Sequence, residues 1–237
     1  MHPANFDYHR ANSIDEAESL YKANADASFL AGGHSLIPAM KLRLAEPGTV
    51  VDIAGIDDLK GITRDGDTIR IGALTTHAEV ENSDVVNDAC TALAEAAGMI
   101  GDPQVRNRGT IGGNVAHADP ASDYPGILMA LGATIVTSGR SIAVDGFFTG
   151  LFETALDEGE MIKEIQVPAL GDGSGAAYAK FFNPASRYAV VGIGAVVSME
   201  NGSCSSCRIG VTGAADHAFR ASAAVDAVSG VDRRQLA

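Results

Sequence analysis

Apolar residues between Ser13 and Ile53 fall into four successive patterns, and each predicts an element. Ser13-Ile14-Asp15-Glu16 has the form of a capping box, and Ile14, Ala17, Leu20 and Tyr21 share one helical face through about Ala25. Ser28 to Ala31 is an apolar run of buried-strand length. Leu36, Ala39 and Met40 mark a second helix that stops near Leu44, and Thr49 to Ile53 is a second strand. The order helix, strand, helix, strand predicts a compact parallel unit, with Gly32 and Gly33 in the turn that joins strand to helix.

From Gly61 the pattern becomes strand-rich. Ile62 to Arg64 and Thr68 to Ile71 flank Asp65-Gly66-Asp67, a hairpin signal. Thr76-His77-Ala78-Glu79 is a second capping box, and Ser83 opens a helix with Val86, Cys90, Leu93 and Ala97 on one face. The stretch from Gly101 to Asp123 is rich in Gly, Asn, Asp and Pro and reads as a long loop, a kind of segment that is usually functional. A short helix at Ile127 to Leu131 and strands at Ala133–Thr137, Ser141–Val144 and Met161–Val167 follow. Gly171 to Gly175 has linker composition. Ala177–Phe182, Val190–Met199 and Cys207–Thr212 predict an antiparallel meander with a hairpin at Asn201-Gly202, closed by an alanine-rich helix from about Arg220 to Val228. The rhythm changes twice, so three units are expected: α/β over 1–56, α+β over 57–170, and antiparallel β plus helix over 176–237.

Composition narrows the function classes. The 237 residues are 46% apolar and 20% charged, the balance of a folded chain. A net charge of −13, with no basic cluster beyond Arg106/Arg108 and Arg233-Arg234, argues against a surface that tracks nucleic-acid phosphates. No apolar run is long enough for a transmembrane helix, and the N-terminus lacks the basic-then-apolar layout of a signal peptide, so a cytoplasmic protein is expected. The three cysteines are too few for a disulfide framework or for an iron–sulfur cluster built by this chain alone. Cys204-Ser205-Ser206-Cys207 has CxxC spacing but no second Cys/His pair, and is read as structural.

The candidate chemistry lies in two glycine pairs, Ala31-Gly32-Gly33-His34-Ser35-Leu36 and Thr110-Ile111-Gly112-Gly113-Asn114. Neither has the spacing of a dinucleotide-binding G-x-G-x-x-G, and the lysine of a phosphate-binding P-loop is missing. What remains is backbone amides, which approach an anion closely where no Cβ intervenes. Ser35 and Asn114 add a side-chain donor to each pair. Two such cradles suit a diphosphate held from both sides without a metal, and no residue stands out as a catalyst.

Further motifs match a known family: Phe6 to Arg10, AGGHSLIP at Ala31 to Pro38, Met40 to Leu44, IGALTTH at Ile71 to His77, DPQVRNRGTIGGN at Asp102 to Asn114, and Asp119-Pro120 with Asp123. With them the chain resembles the FAD-binding medium subunits of molybdenum hydroxylases, the xanthine dehydrogenase family, over most of residues 1–190. The resemblance implies an α+β fold of the vanillyl-alcohol-oxidase (PCMH-type) kind, with two FAD subdomains followed by a C-terminal antiparallel sheet with helix. It assigns Ala31 to Leu36 and Thr110 to Asn114 to the FAD diphosphate. Asp119 and Asp123 go to FAD polar groups, Ile162 and Lys180 to the adenine end, and Tyr188 to the flavin ring. His77 joins them as a candidate beside the cofactor, and the duller reading of Lys180 is an exposed strand lysine.

The same resemblance implies electron transfer. A large molybdopterin-binding subunit oxidises substrate, a small subunit with [2Fe-2S] clusters relays electrons, and FAD on this chain passes them to an external acceptor. The expected assembly is a dimer of such heterotrimers, cytoplasmic or peripheral to the inner membrane face. Carbon monoxide is the substrate the resemblance favours, with nicotine, aldehyde, purine and aromatic substrates as alternatives; a flavin-free phosphate-ligand or assembly module is the reading from another class. Medium subunits of this family continue beyond the position matching Ala237, so a shortened C-terminal unit is expected.

Overall fold

A computed structural model of the chain describes residues 2–232, a mixed helix-and-sheet fold; Arg233-Arg234 and the end of the third expected unit lie outside the described residues. The first sheet contains β1 (Asp7–Arg10), β2 (Ala27–Leu30) and β3 (Thr49–Asp52), all parallel in the order β1-β3-β2. Helices α1 (Ile14–Ala23) and α2 (Leu36–Leu42) make the crossovers. Ala17, Val51, Ile56 and Leu59 form a small core beneath it.

Two expectations need correction here. β1 carries no signal in the sequence, because Asp7-Tyr8-His9-Arg10 has no buried face to alternate; its ladder to β3 holds it instead. The first capping box is only half made. Ser13 accepts the Glu16 amide at 3.2 Å, but the Glu16 carboxylate takes the amide of Asn12 at 2.8 Å rather than that of Ser13.

The second sheet runs β4 (Ile62–Asp65), β5 (Thr68–Gly72), β10 (Ile162–Pro168), β6 (Thr134–Thr137), β7 (Ser141–Ala143), with antiparallel neighbours throughout. A small separate hairpin of β8 (Phe148–Gly150) and β9 (Glu153–Thr154) lies between, too short to leave a pattern in the sequence. Ile69, Ile71, Ile135 and Ile165 of the sheet pack with helices α3 (His77–Glu81) and α4 (Asp84–Gly98) in the main core. Val86, Cys90, Leu93 and Ala97 are all buried as expected, although the helix breaks at Cys90 (φ −164°, ψ 82°).

The expected loop from Gly101 to Asp123 is in fact two short helices, α5 (Pro103–Arg106) and α6 (Ile111–His117). Caps explain the difference. Asp102 accepts the Val105 amide at 2.9 Å with Pro103 at the first helical position, and Thr110 caps α6. Helix α7 (Asp123–Leu131) starts earlier than its apolar residues suggest and is buried along its whole length.

The third sheet, β11 (Ser174–Phe182), β12 (Ala189–Glu200), β13 (Ser203–Thr212) and β14 (Phe219–Arg220), is an antiparallel meander with α8 (Ser222–Val228) after it. β11 begins inside the expected linker. Asn201 and Gly202 both have positive φ, as the Asn-Gly hairpin requires. The sheet lies directly on the backbone of α7: a Cβ on Gly210 would stand 2.1 Å from the carbonyl oxygen of Gly126. Cys204 and Cys207 are buried free thiols of β13. Among the described residues no helix is long and apolar enough to cross a membrane.

Candidate functional site

A cleft of about 700 Å³ runs between the first two sheets and is walled by both glycine loops. β2 delivers the chain to Ala31, and Gly33 turns it into α2 with φ +79°, a conformation that favours glycine. No hydrogen bond among the described residues uses the amides of Gly32, Gly33, His34, Ser35 or Leu36. Five consecutive donors therefore stay open in a loop that lines the cleft.

The second loop is different. Ile111 donates its amide to Thr75 O at 3.0 Å, Gly112 to Ala73 O at 2.9 Å, Gly113 to Thr110 Oγ1 at 3.2 Å and Asn114 to Thr110 O at 3.0 Å. The expectation of an amide cradle at Gly112 to Asn114 is corrected accordingly: those donors are already committed to the chain. What this loop offers is the Asn114 side chain. Its Oδ1 accepts from Ser122 Oγ at 2.5 Å, which leaves the NH₂ group as a donor.

The loops are pressed together at their bases. A Cβ on Gly32 would lie 2.0 Å from the Arg108 carbonyl oxygen, and one on Gly112 would lie 2.5 Å from the Ala73 Cβ. Both glycines thus allow backbone contact between elements, not only the approach of a ligand.

His77, at the first position of α3, bonds through its amide to Gly109 O at 3.0 Å and packs its ring 5.3 Å from that of Tyr124. Burial, then the charges of His34 and Arg106, hold its imidazole neutral down to about 4. Its Nδ1 has no hydrogen-bond partner among the described residues.

At another part of the wall, Asp123 opens α7 and turns its carboxylate toward β11. Tyr178 donates to Oδ1 at 2.6 Å, and Lys180 donates to Oδ2 at 2.8 Å and to Met99 O at 3.0 Å. Burial raises the Asp123 carboxyl, with the Lys180 and Tyr178 hydrogen bonds acting against it. Asp119 accepts the Ala121 amide at 2.9 Å. Tyr188 is 47% exposed, and burial followed by the charges of Asp119 and Asp123 raises its phenol.

Of the residues singled out in the sequence, all but Ile111 and Lys180 line this cleft. Ile111 is fully buried in the core beneath α6. Lys180 is neither exposed nor on the cleft wall: its side chain is 3% exposed and closed onto Asp123. Two residues that no motif singles out also bear on the site, His117 and Tyr178. His117 lines the cleft with its ring 5.2 Å from Phe152, inside the segment whose composition already marked it as functional. Tyr178 is signalled only by strand alternation, which puts it on the same face as Lys180.

The residues present fit FAD. Open amides suit a diphosphate, the volume lies within the range of cofactor clefts, and the lining includes the aromatic side chains of Tyr21, Phe29 and Tyr188. A model of the FAD binding domain in molybdopterin dehydrogenase matches residues 4–170. The carbon monoxide dehydrogenase medium chain of Hydrogenophaga pseudoflava is 43% identical over 225 residues, covering 93% of this chain and 78% of that one. The 6-hydroxypseudooxynicotine dehydrogenase complex subunit alpha of Paenarthrobacter nicotinovorans is 39% identical over 226 residues, 93% of this chain and 76% of that one. Among solved structures, a carbon monoxide dehydrogenase from Hydrogenophaga pseudoflava that lacks the Mo-pyranopterin moiety superimposes with a TM-score of 0.95 at 43% identity, over 98% of this chain and 83% of that chain. The chain therefore belongs to the family of FAD-binding domains of molybdopterin dehydrogenases, and is an FAD-binding medium subunit of the molybdenum hydroxylase kind.

Proposed function

We propose that this chain is the electron-collecting subunit of a molybdenum hydroxylase of the carbon monoxide dehydrogenase type. It receives electrons from [2Fe-2S] clusters on a small partner subunit, after a large molybdopterin subunit has oxidised the substrate, and passes them to an external acceptor. FAD, when bound, supplies the redox chemistry, since no side chain of the cleft does so. The protein's part is positioning. Open amides from Gly32 to Leu36 receive the diphosphate, and the Asn114 amide group reaches it from the facing loop. Asp123 and Asp119 accept from hydroxyl or N–H donors, while Tyr188 stands beside the flavin ring. Neutral His77 packs behind the second loop without adding a charge.

The observation that carries this reading is the run of unused amides on the cleft wall. The three consecutive sheets support the division into units over 1–56, 57–170 and 176–237. The relatives named above support the three-subunit assembly, two copies of which would make the complete enzyme, in the cytoplasm or at the inner face of the membrane. Purification of the complex from its source tests the proposal. FAD, molybdenum, iron and two further chains should co-elute with this one, and carbon monoxide should bleach the flavin. A colourless chain that ignores added FAD would overturn the reading.

A further inference from the structure

Asp123 is held at both carboxylate oxygens by a single strand of the third sheet. Tyr178 and Lys180 stand two residues apart on β11, so strand alternation delivers both to the same face. The hydrogen bonds are 2.6 Å and 2.8 Å long, and all three side chains are almost wholly buried. A carboxylate buried this deeply without donors takes up a proton. These donors favour its charged form against the burial that raises it, and each oxygen retains a lone pair for another partner. No residue of β11 lines the cleft, whereas Asp123 does.

We propose that Tyr178 and Lys180 are positioning residues that keep Asp123 ionised and fix its direction, so that its remaining lone pairs accept hydrogen bonds from O–H or N–H groups of the bound dinucleotide. The inference rests on the FAD reading above and makes β11 a determinant of cofactor affinity. The groups that face Asp123 are Tyr178 and Lys180 on β11, Tyr124 beside it on α7, and Tyr188 from the segment before β12. Asp119 and Glu81 act on those same phenols, and the end of α4 contributes the neutral Met99 carbonyl. Burial raises all three phenols, so none of them ionises in the acid range.

The test is the FAD affinity of the purified full chain, followed by quenching of flavin fluorescence from acid to neutral pH, with thermal stability recorded alongside. Tyr178→Phe should weaken FAD binding at neutral pH by about ten-fold, the loss of one charge-assisted hydrogen bond. It should also move the acid limb of binding to higher pH, because the carboxylate loses a donor that favours its charged form. Lys180→Met should move that limb further. In an Asp123→Asn background Tyr178→Phe should have no added effect on the acid limb. If Lys180→Met does not fold, Tyr178→Phe carries the test alone. A lowered melting temperature with an unmoved acid limb, or wild-type affinity in Tyr178→Phe, overturns the positioning role. A wild-type chain that binds no FAD overturns the functional reading instead.

Discussion

Among the described residues, the amides of Gly32 to Leu36 in the loop after β2 take no partner, while in the loop that opens α6 the amides of Ile111 to Asn114 are all bonded to the chain. Two Gly-Gly pairs of nearly the same sequence character are thus built for different work. The first, with Gly33 at φ +79°, leaves its amides free for the anion proposed above. The second is a structural brace: its glycine amides tie α6 to Ala73 and Thr110, its small size lets α6 lie against Ala73, and it presents Asn114. A glycine pair announces close backbone approach, but the approaching partner is as readily another strand as a phosphate.

The largest effect that would expose this division comes from Gly32, where the two loops meet. Gly32→Val places a side chain within 2.0 Å of a backbone carbonyl that cannot swing away. It should cost about 3 kcal/mol or more in stability and abolish FAD retention, as overpacking against backbone does. Calorimetry with flavin titration checks both, and an unchanged melting temperature would separate the loops.

Acid should act next, through the support of the second loop. The buried imidazole of His77 stays neutral down to about 4, against an ordinary value of 6.5. The unfolded chain therefore takes up this proton first as pH falls. The contribution is intact above about 6.5 and is lost progressively down to about 4, a total on the order of 3 kcal/mol. Denaturant melts across this window should show the slope in the wild type and a flatter profile in His77→Gln.

Two smaller substitutions should dissociate binding from stability. Gly33→Val forces an L side chain into positive φ, costs roughly 1–2 kcal/mol, and turns the open amides away, so FAD affinity should fall at least about ten-fold. Thr110→Val removes the cap of α6 for about 1 kcal/mol with little change in FAD affinity. Equal effects of these two variants on flavin binding would contradict the assignment of receptor and brace.

What could be read from the sequence was local. The helical face of Val86, Leu93 and Ala97, the Asp-Gly and Asn-Gly hairpins, and the Thr76 to Glu79 capping box all depend on neighbours in the chain, and the structure has them. The glycine pairs and Asp123 were visible as a cluster through the motifs they share with the family, and the structure brings them to one cleft. What stayed hidden depends on distant partners. β1 exists through its ladder to β3, the Gly112 amide is consumed by Ala73, and Lys180 is buried because Asp123 awaits it on α7. None of these pairings has a spacing or period that a single sequence displays.

Hydrogen exchange of the backbone amides, resolved by residue and measured with and without FAD, tests the central claim most directly. Without FAD, the amides of Gly112 to Asn114 should exchange slowly and those of Gly32 to Leu36 rapidly. Adding FAD should slow the first loop by at least about ten-fold while leaving the second almost unchanged. Equal protection of the two loops without FAD, or an unprotected first loop in the flavin-loaded protein, would contradict the account.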